Sequence, residues 1–330
     1  MMRKQTTLVV GLGAASLALT ACGGVTSSTG DDAGSDYPSG TVEMYVGSSA
    51  GGSSDLISRA VSKGLSDELG ASFPVINKDG SNGALAAAEL AKAKPDGSVI
   101  AIQNASLFAI TPLAVAEDEA TDINDFEVLQ GVSRDDYVMV AKPGSDVASI
   151  KDLEAASGKV TYGTTGVGTG SQVACALAVG SAGAKGEAVP FDGGAPALAA
   201  VLGGQVDTAC LQVGEAIENI ESGKITPLTV FGSERVKYLP DVPTAKEQGL
   251  DVEVAQYRFM TVPKGTPQDV KDKIIEGMQA TFKTEEYQSF NKKNSLTPME
   301  ISGEEVLARL DADKKRYADL VEKYDINLAE

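Results

Sequence analysis

Gly47-Ser48-Ser49-Ala50-Gly51 has the Gly-x-Ser-x-Gly spacing of a nucleophile elbow and falls between a run with strand character and a run with helical character. A serine in that position needs a base to take its proton, and the chain contains no histidine. A Ser-Lys arrangement is the remaining route, and no lysine is spaced to serve Ser49. A different chemistry fits these residues better. Residues 48–54 offer backbone N–H groups and hydroxyls at the start of a helix, where the helix dipole favours negative charge. A carboxylate suits such a place, and Ser48, Ser49, Ala50, Gly51 and Gly52 are its candidate contacts.

A second element of the same kind follows a strand-like run at residues 159–163: Thr164-Thr165-Gly166-Val167-Gly168-Thr169-Gly170-Ser171, then an apolar helix from Gln172. It is not a Walker A loop, because no Gly-Lys-Ser/Thr follows, and it lacks the Gly-x-Gly-x-x-Gly spacing of a dinucleotide site. A third loop, Asp192-Gly193-Gly194-Ala195-Pro196, has the same placement. Two or three hydroxyl-and-glycine loops that each open a helix predict two lobes presenting donors to one ligand. The plainer alternative for each loop is turn chemistry alone.

The composition narrows the field. The chain has 330 residues, of which 42 % are hydrophobic and 22 % charged, an ordinary globular balance with room for two domains. With 28 Lys+Arg against 46 Asp+Glu the formal charge is -18, which repels the phosphate backbone of a nucleic acid. The lack of histidine and the count of three cysteines remove histidine-based acid/base catalysis and Cys/His zinc sites, and no cofactor is expected. The acidic stretches at 215–221 and 311–319 read as solvated helix faces. Tyr45, Phe108, Phe191 and Tyr257 read as core residues before they read as cleft walls.

The N-terminal residues 1–21 read as an address. Met1-Met2-Arg3-Lys4 is a short basic segment, residues 8–19 are an apolar stretch too short to span a membrane comfortably, and Leu19-Thr20-Ala21-Cys22 has the form of a lipobox. Cys22 is then the lipidated first residue of the mature chain. Residues 22–40 form a Gly/Ser/Thr/Asp-rich tether of roughly 20 Å r.m.s. reach for about 15 residues. Cys175 and Cys210 lie in apolar flanks and read as two buried small hydrophobes, with a disulfide as the alternative.

From residue 41 onward short strand-like runs alternate with helical patterns, the signature of βα units around mainly parallel sheets. Strands are predicted at 41–46, 73–77, 99–103, 126–131, 137–141, 159–163, 187–190, 207–211, 225–231 and 254–262. The first helix presents Leu56, Ile57, Ala60, Val61, Gly64 and Leu65 on one face. The last third is helical and charged. Thr266-Pro267 predicts a cap followed by an N1 proline, and Ser302-Gly303-Glu304-Glu305 a capping box opening the final helix.

Beyond these single signals, eight ordered blocks resemble a known family, the extracytoplasmic solute-binding proteins of tripartite tricarboxylate transporters, also called Bug-type receptors. They are Ala50-Gly51-Gly52-Ser53-Ser54-Asp55; Asn77 with Gly80-Ser81-Asn82-Gly83; Pro95-Asp96-Gly97; residues 162–168; Phe191-Asp192-Gly193-Gly194-Ala195-Pro196-Ala197; Leu202-Gly203-Gly204-Gln205-Val206-Asp207; Asp241-Val242-Pro243-Thr244-Ala245-Lys246-Glu247-Gln248-Gly249; and Val262-Pro263-Lys264-Gly265-Thr266-Pro267. The resemblance implies an α/β, two-lobed periplasmic-binding-protein fold of the flytrap type (type II), with two crossing strands near Ser133 and near residues 256–259. Lobe 1 would comprise 41–133 plus 260–330 and lobe 2 134–259.

It also implies a ligand carboxylate held by the first loop with Asp55 and by the second loop through Thr164, Thr165, Gly166 and Gly168. Asn104 and Ser106, with Asp192, Gly193, Gly194 and Ala195, would complete the pocket. Three departures from the family pattern touch it: Gly47-Ser48 stands where Pro-Phe is usual, Gln172 where histidine is frequent, and the acidic Asp192 where a basic or polar residue is common. If Asp192 faces the ligand it favours an amine or hydroxyl there; otherwise it faces solvent. The reading is a non-enzymatic, monomeric receptor, lipid-anchored outside the cytoplasmic membrane, that captures a small organic acid, a di- or tricarboxylate or a related acid. It would deliver that acid to the large and small membrane subunits of such a transporter. The rivals are a ligand sensor for a membrane kinase, a serine-dependent hydrolase using Ser49, and a purely structural surface lipoprotein.

Overall fold

The computed structural model describes residues 37–329, so the basic segment, the apolar stretch, Cys22 and most of the tether lie outside the described residues. The first half follows the predicted alternation. β1 (Glu43–Val46) leads to α1 (Ser53–Leu69), β2 (Val75–Asn77) to α2 (Ala84–Ala91), and β3 (Val99–Asn104) to α3 (Ala105–Ala109). β1 pairs in parallel with β2 and β3, as βα units require. On α1, Ile57, Val61 and Leu65 are buried, and Gly64 meets Thr281 so closely that a Cβ would lie 2.1 Å from its Cγ2. Leu56 does not share that face; it is 39 % exposed.

The two strands expected at 126–131 and 137–141 are one continuous strand, β4 (Phe126–Ala141). The polar run Ser133-Arg134-Asp135-Asp136 looks like a break in sequence, yet Ser133, Asp135 and Asp136 are buried inside the strand. After β4 come α4 (Ile150–Ala155), β5 (Lys159–Thr164), α5 (Gly170–Ser181), β6 (Lys185–Pro190), α6 (Gly194–Gly203), β7 (Thr208–Gln212), α7 (Val213–Glu221) and β8 (Thr226–Val230). β9 (Ala255–Pro263) then returns, followed by α8 (Gln268–Lys283), α9 (Glu285–Lys293), the two-residue β10 (Thr297–Pro298) and α10 (Gly303–Lys323).

The strand order β2-β1-β3-β9-β4-β7-β5-β6 makes β4 the shared spine. Residues 126–136 of β4 pair antiparallel with β9, while 137–141 pair with β7 and 138–141 with β8. β9 enters from the other side of the same junction, where Val254 N–H donates to Phe231 C=O at 2.9 Å. The two crossing strands expected near Ser133 and residues 256–259 are therefore β4 and β9. Each sheet has its own apolar core, one around Met44, Ile57, Ile100 and Ile274, the other around Val138, Val201 and Leu211. A third cluster, including Phe108, Tyr137, Val173 and Tyr257, runs through the junction between them.

Several local expectations change. Pro267 is itself the N-cap of α8, one residue later than predicted, and Thr266 Oγ1 donates back to Pro263 C=O at 2.8 Å. The capping box at Ser302 and Glu305 is formed as expected. The acidic segments are not wholly solvated: Asp313 is buried against Arg316, and Glu215 turns inward. Among the described residues no helix is long and apolar enough to cross a membrane.

Cys175 on α5 and Cys210 on β7 form a disulfide, in place of the two free thiols the apolar flanks favoured. Both are fully buried, so their hydrophobic surroundings are compatible with either state. The bridge closes a sequence separation of 35 residues, and removing it frees that loop in the unfolded chain. The double variant Cys175→Ala/Cys210→Ala should lose about 2–4 kcal/mol in urea unfolding, with the fold retained. Equal stability of the variant and the oxidised parent would contradict a formed bridge.

Candidate functional site

The first loop is shaped by a carboxylate. Asp55, in the first turn of α1 and 2 % exposed, accepts from Gly51 N–H at 2.8 Å, Arg59 Nε at 3.0 Å and Asn77 Nδ2 at 2.9 Å. Burial alone would raise its pKa, but the bonds from Arg59, Gly51 and Asn77 outweigh burial and hold the carboxyl below its ordinary range. Asn77 Nδ2 also donates to Ser48 C=O at 2.9 Å. Asp55 thus positions the loop, with both its oxygens engaged by protein. Gly51, at φ 84°, makes the turn that brings its amide back to Asp55.

What this leaves free is the helix start. α1 has Gly52 as N-cap with no side-chain cap, so the first-turn amides of Ser53, Ser54 and Asp55 lie where no helix carbonyl reaches them. Ser49 Oγ donates to Asp79 Oδ2 at 2.8 Å on the exposed side of the loop. Gly47 packs against the turn at Gly83, where a Cβ would lie 2.3 Å from Gly83 Cα. That close approach explains why glycine occupies this position.

The turn formed by residues 80–83 bridges to the second loop. Asn82, in the left-handed region at φ 55°, donates from Nδ2 to Gly168 C=O at 3.2 Å, to Ser106 Oγ at 2.9 Å and to Thr111 Oγ1 at 3.0 Å. Thr111 Oγ1 reaches the same Gly168 carbonyl at 3.1 Å. Ser106 is buried and also accepts from Gln256 Nε2 at 2.9 Å. Asn104, at the end of β3, accepts from Ser54 Oγ at 3.0 Å. Asn104 and Ser106 therefore brace the site from behind.

The second loop is ordered by its own hydroxyls. Thr169 caps α5 and donates to Gly166 C=O at 2.7 Å, Thr165 N–H donates to Ser171 Oγ at 3.1 Å, and Thr164 Oγ1 sits 3.4 Å from the Gly166 carbonyl. Gly168 N–H donates to Gln172 Oε1 at 2.8 Å, and Gln172 Nε2 donates to Leu328 C=O at 3.2 Å. Gln172 is thus a buried brace of the loop. The third loop abuts the second, with Phe191 N–H on Thr164 C=O at 3.0 Å. Gly193, at φ 102°, caps α6, Asp192 and Ala195 are exposed, and Gly194 is buried.

Gly194 leads to residues the sequence reading passed over. A Cβ on Gly194 would lie 2.1 Å from Glu215 Oε2. Glu215 caps α7 by accepting from Gln212 N–H at 3.3 Å. Gln212, with its amide oriented to satisfy both ends, donates to Asp135 Oδ2 at 3.2 Å and Ser53 Oγ at 3.3 Å and accepts from Arg258 Nη2 at 3.2 Å. Ser53 Oγ donates to Asp135 Oδ2 at 3.0 Å, and Arg258 Nε donates to Ser54 Oγ at 2.8 Å. Arg258 and Asp135 form a buried ion pair.

The contacts close a ring: first loop, the 80–83 turn, second loop, third loop, Glu215, Gln212, and back to Ser53. All the candidate positions within the described residues lie on this ring or directly behind it. The ring also takes in Asn82, from the Gly80-Ser81-Asn82-Gly83 block, and Asp135, Gln212, Glu215 and Arg258, which no local motif marks.

A family model described as TctC, tripartite tricarboxylate transporter family receptor, matches residues 57–326. The chain belongs to this family. It is 32 % identical over 255 residues, 75 % of this chain and 72 % of the relative, to the UPF0065 protein in the TAR-I ttuE-ttuC' intergenic region of Agrobacterium vitis. Among solved structures, that of the periplasmic binding protein BugD aligns with a TM-score of 0.79 at 28 % identity, covering 88 % of this chain and 99 % of that one. MatC from Rhodopseudomonas palustris with bound malate aligns with a TM-score of 0.77 at 25 % identity, covering 86 % and 100 %. The chain is thus an extracytoplasmic solute-binding protein with the two-lobed fold of its neighbours, and its family is one of receptors, not enzymes.

Glu215 is the titratable group of the ring that moves furthest. Burial pushes its carboxyl up from 4.5 to about 7, the Gln212 amide and Arg258 opposing and Asp135 adding to the rise. The folded protein then binds more protons than the unfolded chain across that interval, so this group makes stability fall as pH rises from 4.5 to about 7. Glu215→Gln should therefore gain in Tm relative to the parent between about pH 5 and about pH 8. A Tm difference that is the same at both pH values would show that Glu215 titrates normally.

Proposed function

We propose that this receptor captures a small organic carboxylate between its two lobes, holding it on the helix-start donors of the first and second loops. The observation that carries the reading is the ring itself. Two glycine-rich loops, each at the N-terminus of a helix longer than ten residues, are tied to the same 80–83 turn from opposite sides of the β4 and β9 junction. Fixed N–H and hydroxyl donors recognise a carboxylate without a buried countercharge of their own. The malate in the MatC neighbour supports the same class of ligand.

Lobe 1 comprises residues 41–133 and 260–330 and lobe 2 residues 134–259, with closure around β4 and β9. The direct contacts are Ser48, Ser49, Ala50, Gly51 and Gly52 in the first loop and Thr164, Thr165, Gly166 and Gly168 in the second. Gly193 and Gly194 form the far wall, flanked by Asp192 and Ala195, while Asp55, Asn104 and Ser106 hold the donors in place. The protein is anchored by lipid at Cys22, works as a monomer, and presents its liganded form to the membrane subunits of a tripartite transporter. Only a change tied to occupancy can carry that signal.

A thermal-shift screen of mono-, di- and tricarboxylates tests the reading. An acid at 100 times its Kd should add about 2.7 kcal/mol of stability. Asp55→Ala and Gly51→Val should each keep the fold and weaken binding at least about tenfold, because each unseats the first loop. Unchanged affinity in both variants would move the site elsewhere. For the anchor, Cys22→Ser should shift the protein from the membrane fraction to the soluble one; continued membrane retention would contradict lipidation at that residue.

A further inference from the structure

Arg258 is the buried cation of the ring, Arg59 being half-exposed against Asp55, and the Arg258 guanidinium is already committed. Nε donates to Ser54, one terminal nitrogen to Asp135 and the other to Gln212. Asp135 therefore neutralises it at contact distance. Glu215 is left differently: among the described residues its carboxylate is in no ion pair and accepts from the Gln212 amide. The residue is half-buried, and the third loop closes on it through Gly194, where any side chain would collide with the carboxylate.

We propose that Glu215 receives a protonated amine of the ligand, so that the solute captured is a carboxylate that also carries an ammonium group. The inference rests on the carboxylate reading above and adds the second functional group. The charged and titratable groups facing Glu215 are Asp135 and Tyr137 from β4 and Arg258 from β9, while Asp192 on the third loop is exposed. With Asp135 and Glu215 ionised against a single guanidinium, the wall carries one net negative charge. A second carboxylate placed there meets repulsion, and an ammonium cancels the charge. The free Glu215 carboxyl is pushed up to about 7, so an ammonium that holds it ionised displaces a fraction of a proton near neutral pH.

Titration calorimetry on the full chain with matched acids reads this directly. The series are aspartate, malate and succinate; glutamate, 2-hydroxyglutarate and glutarate; alanine, lactate and propionate. In every series that binds, the amino member should be tightest, by at least about tenfold over the unsubstituted acid. Its binding near pH 7 should release protons, seen as a heat that varies with the buffer's ionisation enthalpy. Glu215→Gln, which keeps the cap on α7, should shrink the tenfold preference and abolish the release. If the hydroxy or unsubstituted acid binds as tightly as the amino acid, or if the preference survives in Glu215→Gln, the inference is wrong while the receptor reading stands. The wild-type series and proton count decide the matter even if that variant does not fold. If none of the acids binds, the carboxylate reading falls and this inference with it.

Discussion

The Arg258 and Asp135 ion pair is the constraint on which the rest of the molecule depends. The two residues sit on the crossing strands, on one face and diagonal to each other, since Arg258 is in register with Ser133 and Asp135 with Gln256. At 2 % and 3 % exposure both charges are out of water, where an unpaired one is prohibitively unfavourable. A buried pair adds little net stability over an apolar pair of the same shape, but removing one partner costs about 3–5 kcal/mol. Its contribution is to position. The pair fixes β4 against β9 where the chain passes between sheets, and its remaining hydrogen bonds reach Ser53 and Ser54 at the start of α1 and Gln212 at the start of α7.

From that fixed point the elements proposed to face the ligand follow. The start of α1 is held at its base by Arg258 and at its loop by Asp55, so its uncapped amides have a defined direction. Asp55 also shows how an acidic residue is compatible with the proposed anion site: its charge is spent on Gly51, Arg59 and Asn77, and the helix end stays available. The formal charge of -18 is no obstacle to binding an acid, because distant surface charges are screened within about 10 Å at moderate salt. Donors at contact distance decide the matter.

Much of this was legible in the sequence, and the parts that were not share a cause. The three glycine-rich loops announce themselves through local turn chemistry and helix starts, and the Ser302 box through its spacing. β4 reads as two strands because Ser133-Arg134-Asp135-Asp136 is polar, and the partners that make burial tolerable, Arg258 and Ser53, lie far away in sequence. Glu215 reads as one more solvated acid because nothing local shows that Gly194 will close over it. Asn82 reads as a turn residue, which it is, while its side chain tethers a loop 86 residues away. The disulfide is of the same kind: apolar flanks announce burial, and only the packing of α5 on β7 brings Cys175 to Cys210. Local rules find loops and caps; charge networks across the junction are set by tertiary pairing.

The most direct test of the central claim, that one ligand is held by two loops across the junction, is hydrogen exchange of the protein with and without a bound acid. The account predicts that amides at 48–55 and at 164–171 gain protection together, with the ends of β4 and β9 slowed to a lesser degree. Protection confined to one of the two loops, or appearing away from both, would contradict it.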